Sequence, residues 1–336
     1  MSGEFDVIQR YFSQTKGQLS NNPYVKLGVA DDCAIFQTTA GKQIATSKDL
    51  LIEGRHFFSD VDPYALGHKA LAVNLSDLAA MGAKPIACLL GLALPSVDEK
   101  WLSAFSSGFY ALADKYHCPL IGGDTTRSEH GITLSVTVFG EVQPPYLMRN
   151  QAQIGDIVWV SGVLGAAHTA LELLFLEKQG VTLSAEQGNL LEQTRAALEY
   201  PEPRLALGQS LVGIAHAALD ISDGFLQDFG HIVKQSQVSA IIEEYRLPVH
   251  AALESLSWAS KRTAVLTGGD VYELCFTAPA QRSAEVLALS QQLGIPLTAV
   301  GHIVAPQASQ FEVDIIDADG KSVVFSRGGF DHFATE

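Results

Sequence analysis

Aspartate residues recur in this sequence inside apolar or glycine-rich segments. The segments are ADDCAIF, TSKDLLIEGRHF, LAVNLSDLAAMGAKP, LIGGDTTRS and LDISDGF, and their aspartates are Asp31, Asp32, Asp49, Asp77, Asp124, Asp220 and Asp223. Hard cations such as Mg²⁺ take oxygen ligands, so carboxylates that converge from strand ends suit a nucleotide-bound Mg²⁺. The pattern therefore indicates a magnesium-nucleotide site. A simpler reading stays open for Asp220 and Asp223, which could cap a helix over 223–235.

Asp77 is the aspartate whose sequence surroundings most clearly require a cation. The helix predicted over 63–82 is almost entirely apolar near its end, except for Asn74, Ser76 and Asp77. A carboxylate in such surroundings would be expelled or neutralised unless it had a partner. We therefore expect Asp77 to bind a cation.

Composition limits the classes of partner. The chain has 336 residues, 22 lysines and arginines, and a formal net charge of -15, which argues against binding a nucleic-acid backbone. The first residues are charged where a signal peptide would be apolar, and no apolar run is long enough to span a membrane. We expect a cytoplasmic protein with no membrane partner. The four cysteines are widely spaced and form no C-x-x-C pair, which is typical of small buried thiols.

Strands and helices alternate along the chain without a repeat. Asp62-Pro63 and the SVDE pattern at 96–99 predict helix starts, for helices over 63–82 and 98–116. The prolines of PPYLMRNQAQIGD, residues 144–156, predict a boundary between domains over 1–149 and 150–336. The alternation indicates an α/β or α+β fold in both domains. The phosphate-loop pattern G-x-x-x-x-G-K-[ST] is absent from the sequence. Because the chain is acidic and its basic residues are scattered, we expect any phosphate to be bound through metal ions.

The segments ADDCAIF, KDLLIEGRHFF, KALAVNLSDLAAMGAKP, LIGGDTTR, ALDISDGF, LTGGDVYELCF and GGFDHF together resemble bacterial thiamine-monophosphate kinases, over about residues 3–335. The resemblance implies transfer of the terminal phosphoryl group of ATP to thiamine monophosphate, with several Mg²⁺ ions. It also implies the two-domain fold shared with aminoimidazole ribonucleotide synthetase. In that fold the N-terminal domains pair their sheets in a homodimer and the C-terminal domain is α/β.

The resemblance also assigns residues to roles. The implied metal ligands are Asp32, Ser47, Asp49, Asp77, Asp124, Asp220 and Asp223, of which Asp49, Asp77 and Asp124 are the implied catalytic residues. The implied ATP-binding residues are Gly123, Asp124, Arg149 and Ser222, and the implied substrate-binding residues are His56, Asp270 and Phe330. The acceptor phosphate is already anionic at neutral pH, so we expect direct in-line transfer in which positioning and charge neutralisation dominate.

Three positions depart from the family pattern: Ala30 replaces a glycine, Lys48 a hydroxyl residue, and Val271 an acidic residue. These departures leave two alternatives open. One is a catalytically impaired relative that binds nucleotide or thiamine phosphate, and the other is a different ATP-using member of the superfamily. Turnover separates the first alternative from a kinase, and the presence of EGRHF and GGFDHF argues against the second.

Overall fold

A computed structural model describes residues 7–13, 22–27, 34–307, 310–323 and 325. Their contacts divide the chain into two compact units. The N-terminal unit comprises Met1–Leu78 and Ala83–Pro144, and the C-terminal unit comprises Ala79–Gly82 and Pro145–Glu336. The chain thus divides ahead of the predicted boundary at 149/150.

The N-terminal unit is built on a four-stranded sheet with helices. Its elements are a short π-helix (Ile8–Phe12), β1 (Val25–Leu27), β2 (Ile35–Phe36), β3 (Gln43–Ile52), α1 (Pro63–Ala80), β4 (Lys84–Leu94), α2 (Glu99–Lys115), β5 (Leu120–Arg127) and β6 (Thr133–Val142). The sheet order is β3-β6-β4-β5. β4 and β5 are parallel, whereas β6 is antiparallel to both of its neighbours, and β1 and β2 form a separate pair.

Local chemistry explains where the two long helices of this unit begin. The side chain of Asp62 accepts a hydrogen bond from the Ala65 N–H at 3.0 Å, and Pro63 supplies the fixed backbone angle that suits a first helical position. The Asp98 side chain caps α2 by accepting from the N–H groups of Lys100 and Trp101. The cap is therefore Asp98 rather than the predicted Ser96. A carboxylate that accepts two N–H bonds also offers negative charge to the positive end of the helix dipole.

The C-terminal unit contains a six-stranded mixed sheet in its described part. Its elements are β7 (Asp156–Ser161), α3 (Ala166–Lys178), α4 (Ala185–Glu199), α5 (Leu205–Leu211), β8 (Ala217–Asp220), α6 (Phe225–Ser236), β9 (Ser239–Glu243), α7 (Trp258–Thr267), β10 (Leu274–Pro279), α8 (Ser283–Leu293), β11 (Leu297–Val304) and β12 (Val313–Ile316), with three short 3₁₀ helices (Glu244–Arg246, Ala251–Leu253 and Ala280–Arg282). The strand order is β12-β9-β11-β7-β10-β8. Its core packs α6 residues such as Phe225 and Phe229 against Val158 and Leu219 of the sheet.

Both units match the α/β class expected from the sequence. In the described residues Cys88, Cys118 and Cys275 are free and buried, which confirms the expectation of small buried thiols for these three. A search of the described helices finds none with the length and hydropathy to cross a bilayer.

Candidate active site

Strand β3 and helix α1 bring three of the expected metal ligands together. The Ser47 hydroxyl donates a 2.5 Å hydrogen bond to Oδ2 of Asp77. The backbone N–H of Asp49 donates to Oδ1 of Asn74 at 2.9 Å, and the Asn74 amide donates in turn to the carbonyl of Ala70 at 3.0 Å. Asn74 and Asp77 of the apolar helix therefore face β3. Asn74 positions the backbone of Asp49, and Asp77 lies beside Ser47.

Asp124 lies at the other edge of the same sheet. Cross-strand pairing places Asp49, Val136, Leu90 and Gly123 in one row and Leu50, Ser135, Gly91 and Asp124 in the next row. Because side chains alternate between faces, Asp124 shares a face with Leu50 and not with Asp49, and three strand spacings of about 4.8 Å separate their strands by about 14 Å. The structure does not bring these two carboxylates together within one chain.

Gly123 sits where strands β4 and β5 approach closely. A Cβ at this position would lie 1.8 Å from the carbonyl oxygen of Leu90, so a side chain cannot be accommodated without moving the strand. Gly123 is therefore required by strand packing, whether or not it has the ATP-binding role that the resemblance implies.

Other expected residues have distinct settings. His56 is half-buried and its Nδ1 accepts a 3.0 Å hydrogen bond from the N–H of Ile52, which fixes the ring beside the end of β3. In the C-terminal unit Arg149 is exposed, and its carbonyl accepts from the Ser236 hydroxyl at 3.1 Å. Asp32 and Phe330 lie outside the described residues.

Asp220, Ser222 and Asp223 follow one another at the end of β8. Asp220 is buried and pairs across the sheet with Leu274, whereas Ser222 and Asp223 are partly exposed in the turn that enters α6. The helix begins at Phe225, and its cap residue Gly224 makes no side-chain capping bond. The cap residue of this helix is therefore Gly224, and neither Asp220 nor Asp223 occupies that position. A helix start at 223 is wrong, because Gly224 has φ 121°, outside the helical region.

The turn is held by Asp228, a residue that sequence reasoning missed. Oδ2 of Asp228 accepts from the N–H groups of Ser222, Asp223 and Gly224 at 3.0, 2.9 and 3.1 Å. Burial raises the pKa of the Asp228 carboxyl to about 7, with a further rise from the charge of Asp223, although the three N–H donors favour the ionised form. The sequence feature that could have identified Asp228 is an acidic residue in the first turn of an amphipathic helix.

The segment that carries Asp270 lies against this turn. The N–H of Asp270 donates to the carbonyl of Ser222 at 2.8 Å, and the Tyr272 hydroxyl donates to Oδ1 of Asp270 at 3.1 Å. Asp270 and Tyr272 have φ angles of 59° and 54°, in the left-handed region that non-glycine residues seldom adopt. The C-terminal unit thus brings the expected substrate residue Asp270 next to the expected ATP residue Ser222.

The donor chemistry of these residues suits Mg²⁺. Ser47, Asp49 and Asp77 offer hydroxyl and carboxylate oxygens, and none of the three is fully buried, so water can complete an octahedral shell. Among the described residues, no three or more His, Cys, Asp or Glu side chains lie close enough together to hold an ion. Ser47 and Asp77 lie close enough together to contribute oxygens to one ion as part of a ligand set.

Comparison with known proteins defines the class first. Residues 30–142 match the AIR synthase related protein N-terminal domain, and residues 153–314 match the corresponding C-terminal domain. The chain is 40% identical over 334 residues to the thiamine-monophosphate kinase of Haemophilus influenzae, covering 98% of both proteins. It therefore belongs to the thiamine-monophosphate kinase family.

Solved structures agree with this assignment. The thiamine-monophosphate kinase from Stenotrophomonas maltophilia K279a is 42% identical and superposes with a TM-score of 0.80, covering 91% of this chain and 95% of that one. AaThiL, whose structure is complexed with AMPPCP and TMP, is 29% identical with a TM-score of 0.73, covering 88% and 89% of the two chains.

Proposed function

We propose that this protein transfers the terminal phosphoryl group of ATP to thiamine monophosphate and forms thiamine diphosphate. The observation that carries the proposal is similarity along the whole chain to thiamine-monophosphate kinases, at 40% identity. A relative that binds AMPPCP together with TMP supports ATP and thiamine monophosphate as the two substrates.

The reaction needs little covalent chemistry from the protein. A phosphate oxygen of thiamine monophosphate is anionic at neutral pH and attacks the terminal phosphorus of ATP, while the bond from that phosphorus to the bridging oxygen of ADP breaks. Bound Mg²⁺ ions supply charge neutralisation at the phosphates. The protein's task is to align the two phosphates and exclude water as an acceptor, so no nucleophilic side chain or strong base is required.

Each unit contributes its own set of residues to this task. In the N-terminal unit Ser47, Asp49 and Asp77 hold metal, with Asp32 and Asp124 as further ligands. In the C-terminal unit Asp220 and Asp223 do so. Asp49, Asp77 and Asp124 are the catalytic residues, because ions held by them would neutralise charge on the transferring phosphate.

Nucleotide and acceptor contacts complete the assignment. Gly123, Asp124, Arg149 and Ser222 bind ATP, and His56, Asp270 and Phe330 bind thiamine monophosphate. The 2.8 Å hydrogen bond between Asp270 and Ser222 supports this division, since it links a residue from each substrate's set. Arg149, exposed and cationic, is suited to a phosphate or an adenine face.

The protein acts as a homodimer joined through its N-terminal sheets. β3 and β5 are the two edges of the four-stranded sheet, and β3 exposes Ile44, Leu50 and Ile52 by 50%, 52% and 41%. Pairing β3 of each copy with β5 of the other would close the two sheets into an eight-stranded barrel and leave no open edge.

The proposed setting is the cytoplasm, where ATP is abundant. The net charge of -15 supports small phosphorylated substrates bound through cations, with no nucleic-acid or membrane partner.

A direct assay tests the proposal. Purified protein is mixed with thiamine monophosphate, ATP and Mg²⁺, and thiamine diphosphate is measured by chromatography, with thiamine and other phosphorylated acceptors as controls. Product that depends on thiamine monophosphate and Mg²⁺ supports the kinase. Saturable binding of both substrates without product would instead identify an impaired binding protein, the alternative that Lys48 and Val271 raise.

A further inference from the structure

A buried ion pair in the C-terminal unit lies outside every role assigned above. Arg204, the residue before α5, donates from Nε to Oε2 of Glu273 at 2.7 Å and from Nη2 to Oε1 at 2.5 Å. The two side chains are only 22% and 8% exposed. The contact is a two-pronged fork between residues far apart in sequence, which fixes the orientation of the carboxylate as well as its position.

Glu273 is held on its other side as well. The Ser161 hydroxyl donates to Oε2 of Glu273 at 2.5 Å and accepts from the N–H of Leu274 at 2.8 Å. A Cβ at Gly162 would lie 1.8 Å from Oε1 of Glu273, so the glycine is needed to make room for the carboxylate. Glu273 is thus clamped between the end of β7 and the start of α5.

The clamp lies at the end of the strained segment that carries Asp270. The carbonyl of Glu273 accepts from the Ile221 N–H at 2.8 Å, and the Tyr272 N–H donates to the carbonyl of Ile221 at 2.7 Å. Asp270 and Tyr272 both hold left-handed backbone angles. Such backbone conformations persist only where contacts with the surrounding structure hold them in place, and they are common at ligand sites.

We propose that Arg204 is a positioning residue that sets Asp270 against thiamine monophosphate through Glu273. This inference rests on the proposed function, because it takes Asp270 as a substrate contact. A buried ion pair is often no more stabilising than apolar residues of the same size, so stability alone is a weak reason for placing one here. Geometry is a better reason, since only the guanidinium fork can hold both carboxylate oxygens, and lysine cannot.

The turn that carries Ser222, an expected ATP-binding residue, is held by a different carboxylate. Ser222, Asp223 and Gly224 are held by Asp228, which has no hydrogen bond to Arg204 or Glu273 among those of the described residues. Loosening the Arg204 clamp should therefore displace Asp270 more than the turn at Ser222. The inference predicts a selective loss for one of the two substrates.

The test compares Arg204→Met and Arg204→Lys with Arg262→Met. Arg262 is the matched control, because its Nη2 pairs at 2.6 Å with Glu244 in the same unit and the two side chains are 28% and 6% exposed. Steady-state rates are measured with each substrate varied in turn, and calorimetry gives the Kd of thiamine monophosphate and of Mg-ATP. Melting curves show whether each variant is folded.

Arg204→Met is expected to raise KM and Kd for thiamine monophosphate at least about tenfold, since a displacement near 1 Å can cost up to about a hundredfold. KM for ATP should change less than about threefold, and Arg204→Lys should fall between wild type and Arg204→Met. Arg262→Met should lower the melting temperature comparably and leave both KM values near wild type.

Equal losses for both substrates, or an unchanged Kd for thiamine monophosphate in folded Arg204→Met and Arg204→Lys, would overturn the inference. If Arg204→Met does not fold, Arg204→Lys decides alone, and a wild-type Kd overturns the inference. A wild-type protein that binds both substrates without forming product would refute the proposed kinase activity, while the calorimetric comparison would still decide the role of Arg204.

Discussion

Replacing Asp228 with alanine should loosen the turn that carries Ser222 and Asp223. One carboxylate oxygen accepts three backbone N–H groups there, at 2.9 to 3.1 Å. Alanine removes the single acceptor of all three hydrogen bonds and leaves the N–H of Gly224, which belongs to a buried residue, without access to water. Asparagine keeps an acceptor oxygen of the same shape in the same place.

The size of the effect follows from these contacts. A hydrogen bond contributes about 1 kcal/mol net, so three contribute about 3 kcal/mol. Because burial raises the pKa of Asp228 to about 7, its carboxyl is roughly half protonated at neutral pH, and the larger value for fully charged acceptors does not apply. Water can reach the partly exposed Ser222 and Asp223, so we expect Asp228→Ala to lower the free energy of unfolding by about 2–3 kcal/mol and Asp228→Asn by less than about 1 kcal/mol.

Two measurements check this expectation. Urea unfolding followed by tryptophan fluorescence gives the stability difference, and amide hydrogen exchange gives the local opening at residues 222–224. Faster exchange should be confined to these amides, and the Kd of Mg-ATP should rise with it in the alanine variant only. The reasoning fails if Asp228→Ala unfolds within about 1 kcal/mol of wild type, or if asparagine is as damaging as alanine.

Three further predictions concern the N-terminal unit. Asp77→Asn should cut turnover more than about tenfold, equivalent to ~1.4 kcal/mol, with melting unchanged. Retained activity, or the same loss in the exposed control Asp114→Asn on α2, would exclude a metal role. Lys48→Thr should change the Mg²⁺ concentration for half-maximal rate by about 1.4- to 5-fold, the range for an exposed charge pair. The concentration falls if the ammonium competes with Mg²⁺ and rises if the ammonium instead contacts a nucleotide phosphate. Lys48 lies on the sheet face opposite Asp49, and an unchanged titration would mean that the ammonium lies away from the ions. Leu50→Arg should convert the dimer to a monomer in sedimentation at micromolar concentration, while Leu287→Arg, equally exposed on α8, should not; a wild-type monomer would refute the dimer itself.

Local signals in the sequence predicted much of the fold. Asp62-Pro63 identified the start of α1, because a capping carboxylate and a fixed proline angle act within a few residues. The start of α6 was misplaced because the prediction relied on a local capping residue there as well. Asp223 is of a residue type that often caps helices, but Asp228, inside the helix, accepts the hydrogen bonds instead.

Contacts between distant segments were not predictable from one sequence. The expectation that Asp77 binds a cation stays a prediction, and the hydrogen bond from Ser47, 30 residues away, was not predictable from the sequence. The sheet order β3-β6-β4-β5, which separates Asp49 from Asp124, depends on long-range pairing that alternation of elements does not specify. The link between Arg204 and Glu273 spans 69 residues and has no local signature.

Each unit has a buried cysteine whose alkylation would report the opening of that unit. Burial raises the pKa of the thiols of Cys88 on β4 and Cys275 on β10, so an alkylating reagent attacks them only when the surrounding sheet opens. With Cys33 replaced by serine, a pulse of iodoacetamide followed by peptide mass spectrometry would time the two units separately in one sample. A ligand that tightens only the C-terminal unit would then slow the labelling of Cys275 and leave that of Cys88 unchanged.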